Sequence, residues 1–264
     1  MEGLIEPGKF VKILFGDGKT SIQRVRKEGI ETHDGNVRID ETEPIKFGSA
    51  VETNIGRNLV LLKPTLSELL SKVTRRTQVL YPKEVGYLLL GLGIGPGSLV
   101  FEAGTGSGAS AAFFANFVRP NGKVVSMDVN EQSLQIASKN LSLLGLGGFV
   151  ELRLGDITKG IAERGFFDAA LMDLPSPWDA SKAFWDLLKP SSRVAVVIPT
   201  YNQLEKTSLS LEENGFAVLE CIDISIQGLK VKKGAVRPLP FARTHNAFLI
   251  LAAKVLTKEQ WSKG

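Results

Sequence analysis

The sequence predicts a doubly wound α/β domain behind a small β-rich one, and three observations carry that expectation. Short apolar runs separated by tight-turn signals fill residues 10–62, with no helical periodicity before Pro64. From residue 98 onward, apolar strand-like runs alternate with helical patterns, the signature of a parallel sheet covered on both faces. The 264 residues, 43% hydrophobic and 23% charged, suit one large domain plus an appendage. Domains are accordingly expected at residues 1–63 and 64–264.

In the front domain, Phe10–Phe15 reads as a strand closed by the turn Asp17-Gly18. Ser21–Arg26 alternates, Asp34-Gly35 marks another tight turn before Val37–Ile39, and Leu59–Leu62 is a short apolar strand. Together these suggest a small barrel or sandwich. A helical pattern starts at Thr65, which has capping-box spacing to Glu68. A polar linker runs through Arg75-Arg76-Thr77-Gln78 to Tyr81-Pro82-Lys83-Glu84. Strands are then expected at Ser98–Ala103, Lys123–Asp128, Phe149–Leu154, Asp168–Asp173 and Arg193–Ile198. Helices are expected at Ala109–Phe117, Glu131–Leu144, Ala180–Leu188 and Gln203–Asn214, the last ended by Gly215. Two strands around Phe216–Ile226 and Ala247–Val255 follow without a helix between them, which suggests an antiparallel edge.

Composition narrows the function classes. Net charge is +4 and the pI near 9.1, a mild basicity that suits phosphate contacts without requiring them. The single cysteine, Cys221, excludes an internal disulfide and a Cys/His metal cluster; it reads as a core residue, and no metal is expected. Residues 1–9 lack the apolar run of a signal peptide, and no stretch reaches the ~18–20 apolar residues of a membrane span. The expectation is a cytoplasmic protein with no membrane partner.

The strongest motif is Glu102-Ala103-Gly104-Thr105-Gly106-Ser107-Gly108-Ala109, between an apolar strand and a helix of small residues. Glycines there let the backbone turn sharply and let a ligand approach it, and the helix start offers free N–H donors. Dinucleotide sites use G-x-G-x-x-G. Here the order is acidic-x-Gly-x-Gly-x-Gly, and Glu102 would repel a pyrophosphate but attract an ammonium and a sulfonium. That favours S-adenosylmethionine over a dinucleotide, with a ligand-free glycine turn as the alternative. Asp128 ends the next strand, 24 residues beyond Gly104, where a carboxylate can accept from both ribose hydroxyls. Asp156 follows the third strand, placed to hold an adenine edge or to cap Ile157-Thr158. Asp173 ends the fourth.

Beyond Asp173 runs Leu174-Pro175-Ser176-Pro177-Trp178, a rigid platform ending in an aromatic. With this segment, Arg76-Thr77-Gln78, Tyr81-Pro82-Lys83-Glu84, Pro199 with Gln203, Arg237-Pro238, and Thr244-His245-Asn246-Ala247-Phe248-Leu249, the chain resembles the TrmI-type tRNA (adenine-N1)-methyltransferases over nearly its whole length. The resemblance implies a Rossmann-like S-adenosylmethionine domain behind a small β domain. It also implies a tRNA substrate methylated in the T-loop at position 58, with position 57 open as a second target, and a homotetramer. Carried over, Gln78, Glu102, Gly104, Thr105, Gly106, Ser107, Gly108, Ala109, Asp128 and Asp156 would line the cofactor site. Asp173 would border both cofactor and target adenine, and Tyr81 would help close the pocket. The family often has His-Thr-[AG]-Phe-Leu where this chain has His245-Asn246-Ala247-Phe248-Leu249, and the segment after Arg237-Pro238 is short; both bear on subunit contact or tRNA docking.

The expected chemistry is direct transfer to adenine N1, with Asp173 accepting from N6 and stabilising the charge that develops. The target base must leave its stack, and Tyr81 or Trp178 is a candidate to receive it; packing over the following helix is the other reading of Trp178. His245 reads as structural and His33 as a surface turn residue. Arg75, Arg76, Lys230, Lys232, Lys233, Arg237 and Arg243 are candidates for a phosphate-binding surface or a merely solvated one. Two rival functions stand beside this one: a methyltransferase for protein isoaspartate or a tetrapyrrole precursor, and a non-catalytic tRNA-binding subunit.

Overall fold

The computed structural model describes residues 3–40, 42–74, 80–240 and 247–256. The chain divides into two compact units, Met1–Val73 and Thr74–Gly264. In the first, strands β1 (Phe10–Phe15), β2 (Thr20–Arg24), β3 (Ile30–Thr32), β4 (Gly35–Val37), β5 (Ala50–Glu52) and β6 (Asn58–Leu62) precede a one-turn helix α1 (Leu66–Leu69). Sheet order is β2-β1-β6-β5, all antiparallel, with β3–β4 a separate hairpin. Alternation along β1 turns Val11, Ile13 and Phe15 inward, onto a core that Ile30 and Val37 of the hairpin complete. The unit is therefore an open sheet with a hairpin over its core, where the sequence suggested a barrel or sandwich.

The capping box at Thr65 forms as expected. Helix α1 nevertheless belongs to the first unit, so the division falls about ten residues later than residue 63. Within that unit Lys12 of β1 pairs with Glu68 of α1 and holds its carboxyl below the usual range, and Leu70 and Val73 just after α1 are buried.

The first helix of the second unit is α2 (Pro82–Gly91), which starts inside the segment whose sequence suggests a polar linker. Proline at its first position and the Glu84 carboxylate, which accepts from Tyr81 N at 3.1 Å, start it. Strands and helices then alternate: β7 (Leu99–Ala103), α3 (Ala109–Val118), β8 (Lys123–Asp128), α4 (Glu131–Leu143), β9 (Val150–Leu154), β10 (Phe167–Met172), α5 (Ser181–Leu187), β11 (Leu188–Ile198) and α6 (Tyr201–Glu213). The chain continues through β12 (Phe216–Ile222), β13 (Leu229–Lys232), β14 (Ala235–Pro238) and β15 (Phe248–Lys254).

Seven strands form one sheet in the order β12-β15-β11-β10-β7-β8-β9. Strands β7 to β11 run parallel, and β15 runs antiparallel to both neighbours. The last strand is thus inside the sheet and β12 is the edge. Phe248 to Ala252 are nearly all buried, which demands neighbours on both sides, whereas the second half of β12 is exposed. Cys221 sits on that edge strand and is exposed, a correction to its reading as a core residue. Phe101, Phe167, Phe184 and Phe216 fill the core on one face of the sheet. Strand β12 ends at Ile222, earlier than expected, and the unforeseen hairpin β13–β14 turns at Lys233-Gly234 with every strand residue exposed. No described helix is long and apolar enough to cross a membrane.

Candidate active site

Register aligns the strand tips. Met172 lies opposite Ala103, Ala103 opposite Met127, and Asp128 opposite Leu154. The ladder continues one residue further: Asp173 N donates to Ala103 O at 2.9 Å, Gly104 N to Met127 O at 2.9 Å, and Gly155 N to Asp128 O at 3.0 Å. Asp173, Gly104 and Asp128 therefore stand in one row at the carboxyl edge of the sheet, with Gly155 one residue beyond it, where open α/β folds bind ligands.

A cavity of about 720 Å³ opens over that row, a size typical of small-molecule sites. Gly104, Gly106, Asp128, Asp156 and Asp173 are on its wall, with Met127, Val129 and Ile157 supplying apolar surface near Asp156. Leu174, Pro175 and Pro199 line it on the Asp173 side. Gly104 has φ +97°, and a Cβ there would sit 1.9 Å from Asp173 O, so no other residue fits between the loop and the β10 tip. The loop is held in place by Asp128, whose Oδ2 accepts from Gly106 N at 3.0 Å while Oδ1 accepts from Asn130 N at 2.8 Å.

Burial separates the acids. Glu102 is wholly buried behind the loop, and desolvation pushes its carboxyl up to about 7; the Ser110 and Ser126 hydroxyls oppose the shift, while Asp173 and Asp128 add repulsion. Its Oε2 accepts from Ser126, which pairs with Thr105 Oγ1 at 2.7 Å, and its Oε1 has no hydrogen-bond partner among the described residues. Asp173 is half-buried, and desolvation raises it to about 6. Asp156 is lowered by the Thr158 hydroxyl and then by Thr158 N, the cap reading of this residue, which leaves Oδ2 without a protein donor among the described residues.

Of the residues singled out in the sequence, the structure thus gathers Gly104, Gly106, Asp128, Asp156 and Asp173 on one wall. Glu102, Thr105, Ser107, Gly108 and Ala109 pack behind it, all buried. Tyr81 is 43% exposed at the start of α2 and off the cavity wall, while its neighbour Leu80 is on it. Trp178 is also off the wall: its ring lies 4.0 Å under Lys206 Nζ, and its carbonyl accepts from Ser210 Oγ at 2.8 Å, so it packs on α6. His33 is a surface turn residue, stacked against Phe15 with ring centroids 4.5 Å apart. Gln78, Arg75, Arg76, Arg243 and His245 lie outside the described residues.

Sequence reasoning missed Leu80, Asn130, Ser133, Asp179, Val197 and Ala247 on the wall. Asn130 carried a signal, since an Asn two residues after a strand-ending Asp is a helix cap, and its side chain does cap α4. Val197 carried none, and Ala247 only its place in the motif before β15, because sheet order brings the end of β11 and the approach to β15 to this cavity.

The profile of the tRNA methyltransferase complex GCD14 subunit family matches residues 58–253. The chain belongs to this family. Within the family's range fall the glycine loop, all four strand-tip acids and the proline platform, so the residues that build the cavity are the ones the match spans. The tRNA (adenine(57)-N(1)/adenine(58)-N(1))-methyltransferase TrmI of Methanocaldococcus jannaschii is 28% identical, over 86% of this chain and 89% of its own. The crystal structure of the tRNA (m1A58) methyltransferase TrmI of Aquifex aeolicus superposes with a TM-score of 0.83 at 29% identity, covering 96% of this chain and 99% of that one. A SAM-dependent O-methyltransferase of Thermotoga maritima superposes at 0.88 with 30% identity, covering 97% and 96%. The S-adenosylmethionine-dependent fold expected from the sequence is therefore the fold observed.

Proposed function

We propose that this chain transfers a methyl group from S-adenosylmethionine to N1 of an adenosine in the T-loop of tRNA. The observation that carries the reading is Asp173: a half-buried carboxylate at the β10 tip, sharing one cavity with the glycine loop and the acids of β8 and β9. The residues present fit the cofactor. The Gly104 cradle has no room for a side chain, which lets the amino-acid end approach the backbone. Asp128 keeps lone pairs for ribose hydroxyls, and Asp156 Oδ2 remains for an adenine edge beside apolar Met127, Val129 and Ile157. The bound cofactor supplies a methyl already made electrophilic by its sulfonium.

The protein's task is then positioning and charge. Holding acceptor and donor in line is worth ~7–11 kcal/mol. Asp173, ionised, accepts from the exocyclic N6 and so orients N1 and stabilises the positive charge that methylation places on the ring. The Leu174-Pro175-Ser176 platform continues the wall on the same side, and Gln203 Nε2 reaches Pro175 O at 3.4 Å to tie it to α6. For tRNA, the exposed Lys230, Lys232, Lys233 and Arg237 of the β13–β14 hairpin are suited to phosphates. The same hairpin exposes Leu229, Val231 and Val236, apolar surface that supports the homotetramer of the family resemblance. A single cysteine and a tRNA substrate fit a cytoplasmic setting.

The test is incubation with unmodified tRNA and isotope-labelled cofactor, followed by mass spectrometry of ribonuclease fragments, which place the label, and of the digested nucleosides, which identify it. Label in 1-methyladenosine from the T-loop is the expected result. Label on a ribose or another hydroxyl, as the name of the Thermotoga relative would suggest, or no label in tRNA, refutes the proposal.

A further inference from the structure

Among the described residues, two side chains bond the backbone of the cofactor loop from outside it, and one of them is an acidic strand tip. Asp128 holds Gly106 N from one side. On the other side stands Asn140, 4% exposed on α4. Its Nδ2 donates to Ser107 O at 2.9 Å and to Thr74 O at 2.9 Å, and its Oδ1 accepts from Thr74 N at 3.3 Å. One primary amide thus spends both protons and one acceptor on two backbone segments that are distant in sequence. Only one orientation of that amide satisfies all three partners, because two of them are acceptors and one is a donor.

The helix that carries Asn140 is the surface on which the loop rests. Ser133, Ala137 and Asn140 are spaced along one face of α4. Ser133 lines the cavity, and Ala137 Cβ lies 2.9 Å from where a Cβ on Gly108 would be. Above them Asn140 closes the far end of the loop through Ser107. Thr74, its other partner, opens the segment that leads to Leu80 on the cavity wall.

We infer that Asn140 is a positioning residue for the cofactor: its side-chain amide fixes the Ser107 end of the glycine loop and registers the chain at Thr74 against it. The inference rests on the cofactor reading of this cavity. Asn140→Asp is the discriminating change. It is isosteric, but it turns the donor toward two carbonyl oxygens into a second acceptor. Leaving buried acceptors unpaired in this way corresponds to a loss of about 5- to 150-fold in an equilibrium the residue supports.

Titration of the purified protein by calorimetry should show the dissociation constant for S-adenosylmethionine raised by that factor. The KM for the cofactor should rise in parallel, with kcat at saturating substrates within about threefold of the parent, the pattern of lost ground-state positioning. Asn140→Ser, too short to reach both carbonyls, should behave alike and serves if the Asp variant does not fold. Leu141→Ala, at the neighbouring 1% exposed position, should lower the melting temperature without weakening cofactor binding. Parent-like binding by both Asn140 variants overturns the inference, and so does an equal loss of binding in Leu141→Ala, which would make the effect general to the helix. Failure of the parent protein to bind the cofactor overturns the reading of the cavity itself, and this inference with it.

Discussion

Replacing Asp173 by Asn should make the protein more stable and nearly inactive at the same time, and the structure sets the size of both effects. Burial raises the Asp173 carboxyl from 3.8 to about 6. The folded state therefore binds more protons than the unfolded state between these values, and stability falls as pH rises through that window. The difference, 6 − 3.8 or about 2 units, corresponds to about 3 kcal/mol, fully expressed above pH 6. An amide removes this penalty without removing volume. At pH 8 the variant should gain up to about 3 kcal/mol, roughly 6–12 °C in melting temperature for a chain of this size. The gain should narrow as pH is lowered toward 5. Methyl transfer at pH 8 should fall by about 10²–10³-fold if the carboxylate stabilises the charge on the purine, and the acid limb of the pH–rate profile near 6 should vanish. Thermal melts at pH 5 and 8, set beside single-turnover rates, check both. A variant that melts lower than the parent at pH 8, or that keeps the parent rate, refutes the reasoning.

Two further substitutions probe the wall and the platform. Gly104→Ala should cost roughly 2–4 kcal/mol and abolish cofactor binding, since the new methyl has nowhere to go between the loop and Asp173 O; thermal melting and calorimetry measure the two losses. Trp178→Ala should lower stability by about 1–3 kcal/mol through lost packing on α6, with the KM for tRNA unchanged; a large rise in that KM would restore Trp178 as the residue that receives the base.

The strand tips were legible in the sequence because the signals for them are local. An apolar run followed by Gly or Asp announces the end of a buried parallel strand, and the register then lines up Asp173, Gly104 and Asp128. What was not legible depends on which strands become neighbours. β15 inserts between β11 and β12, and that insertion alone brings Ala247 to the cavity and exposes Cys221 on the edge. Helix α2 escaped notice because Tyr81-Pro82-Lys83-Glu84 reads as polar linker, whereas Lys83 and Glu84 are buried together as an ion pair at 2.6 Å and Lys83 also donates to Ile224 O. Glu102 shows the opposite failure. Its motif position suggested a wall residue, but the side chain is drawn behind the loop by Ser126, its cross-strand neighbour.

Two raised carboxyls side by side, Glu102 at about 7 and Asp173 at about 6, cost the empty protein stability at neutral pH. A cationic ligand relieves that cost, because a positive charge nearby favours the ionised form of each acid. Binding of S-adenosylmethionine should therefore expel protons when the acids begin partly protonated. The release should be largest between pH 6 and 7, where both groups titrate, and should vanish by about pH 9. S-adenosylhomocysteine, which lacks the sulfonium charge, should expel fewer, and Asp173→Asn should remove the part seen at pH 6. Calorimetric titrations in two buffers of different ionisation enthalpy measure the number directly. A binding enthalpy independent of buffer at pH 6 and at pH 7 would mean that neither acid senses the ligand's charge, and the electrostatic account of this cavity would then be wrong.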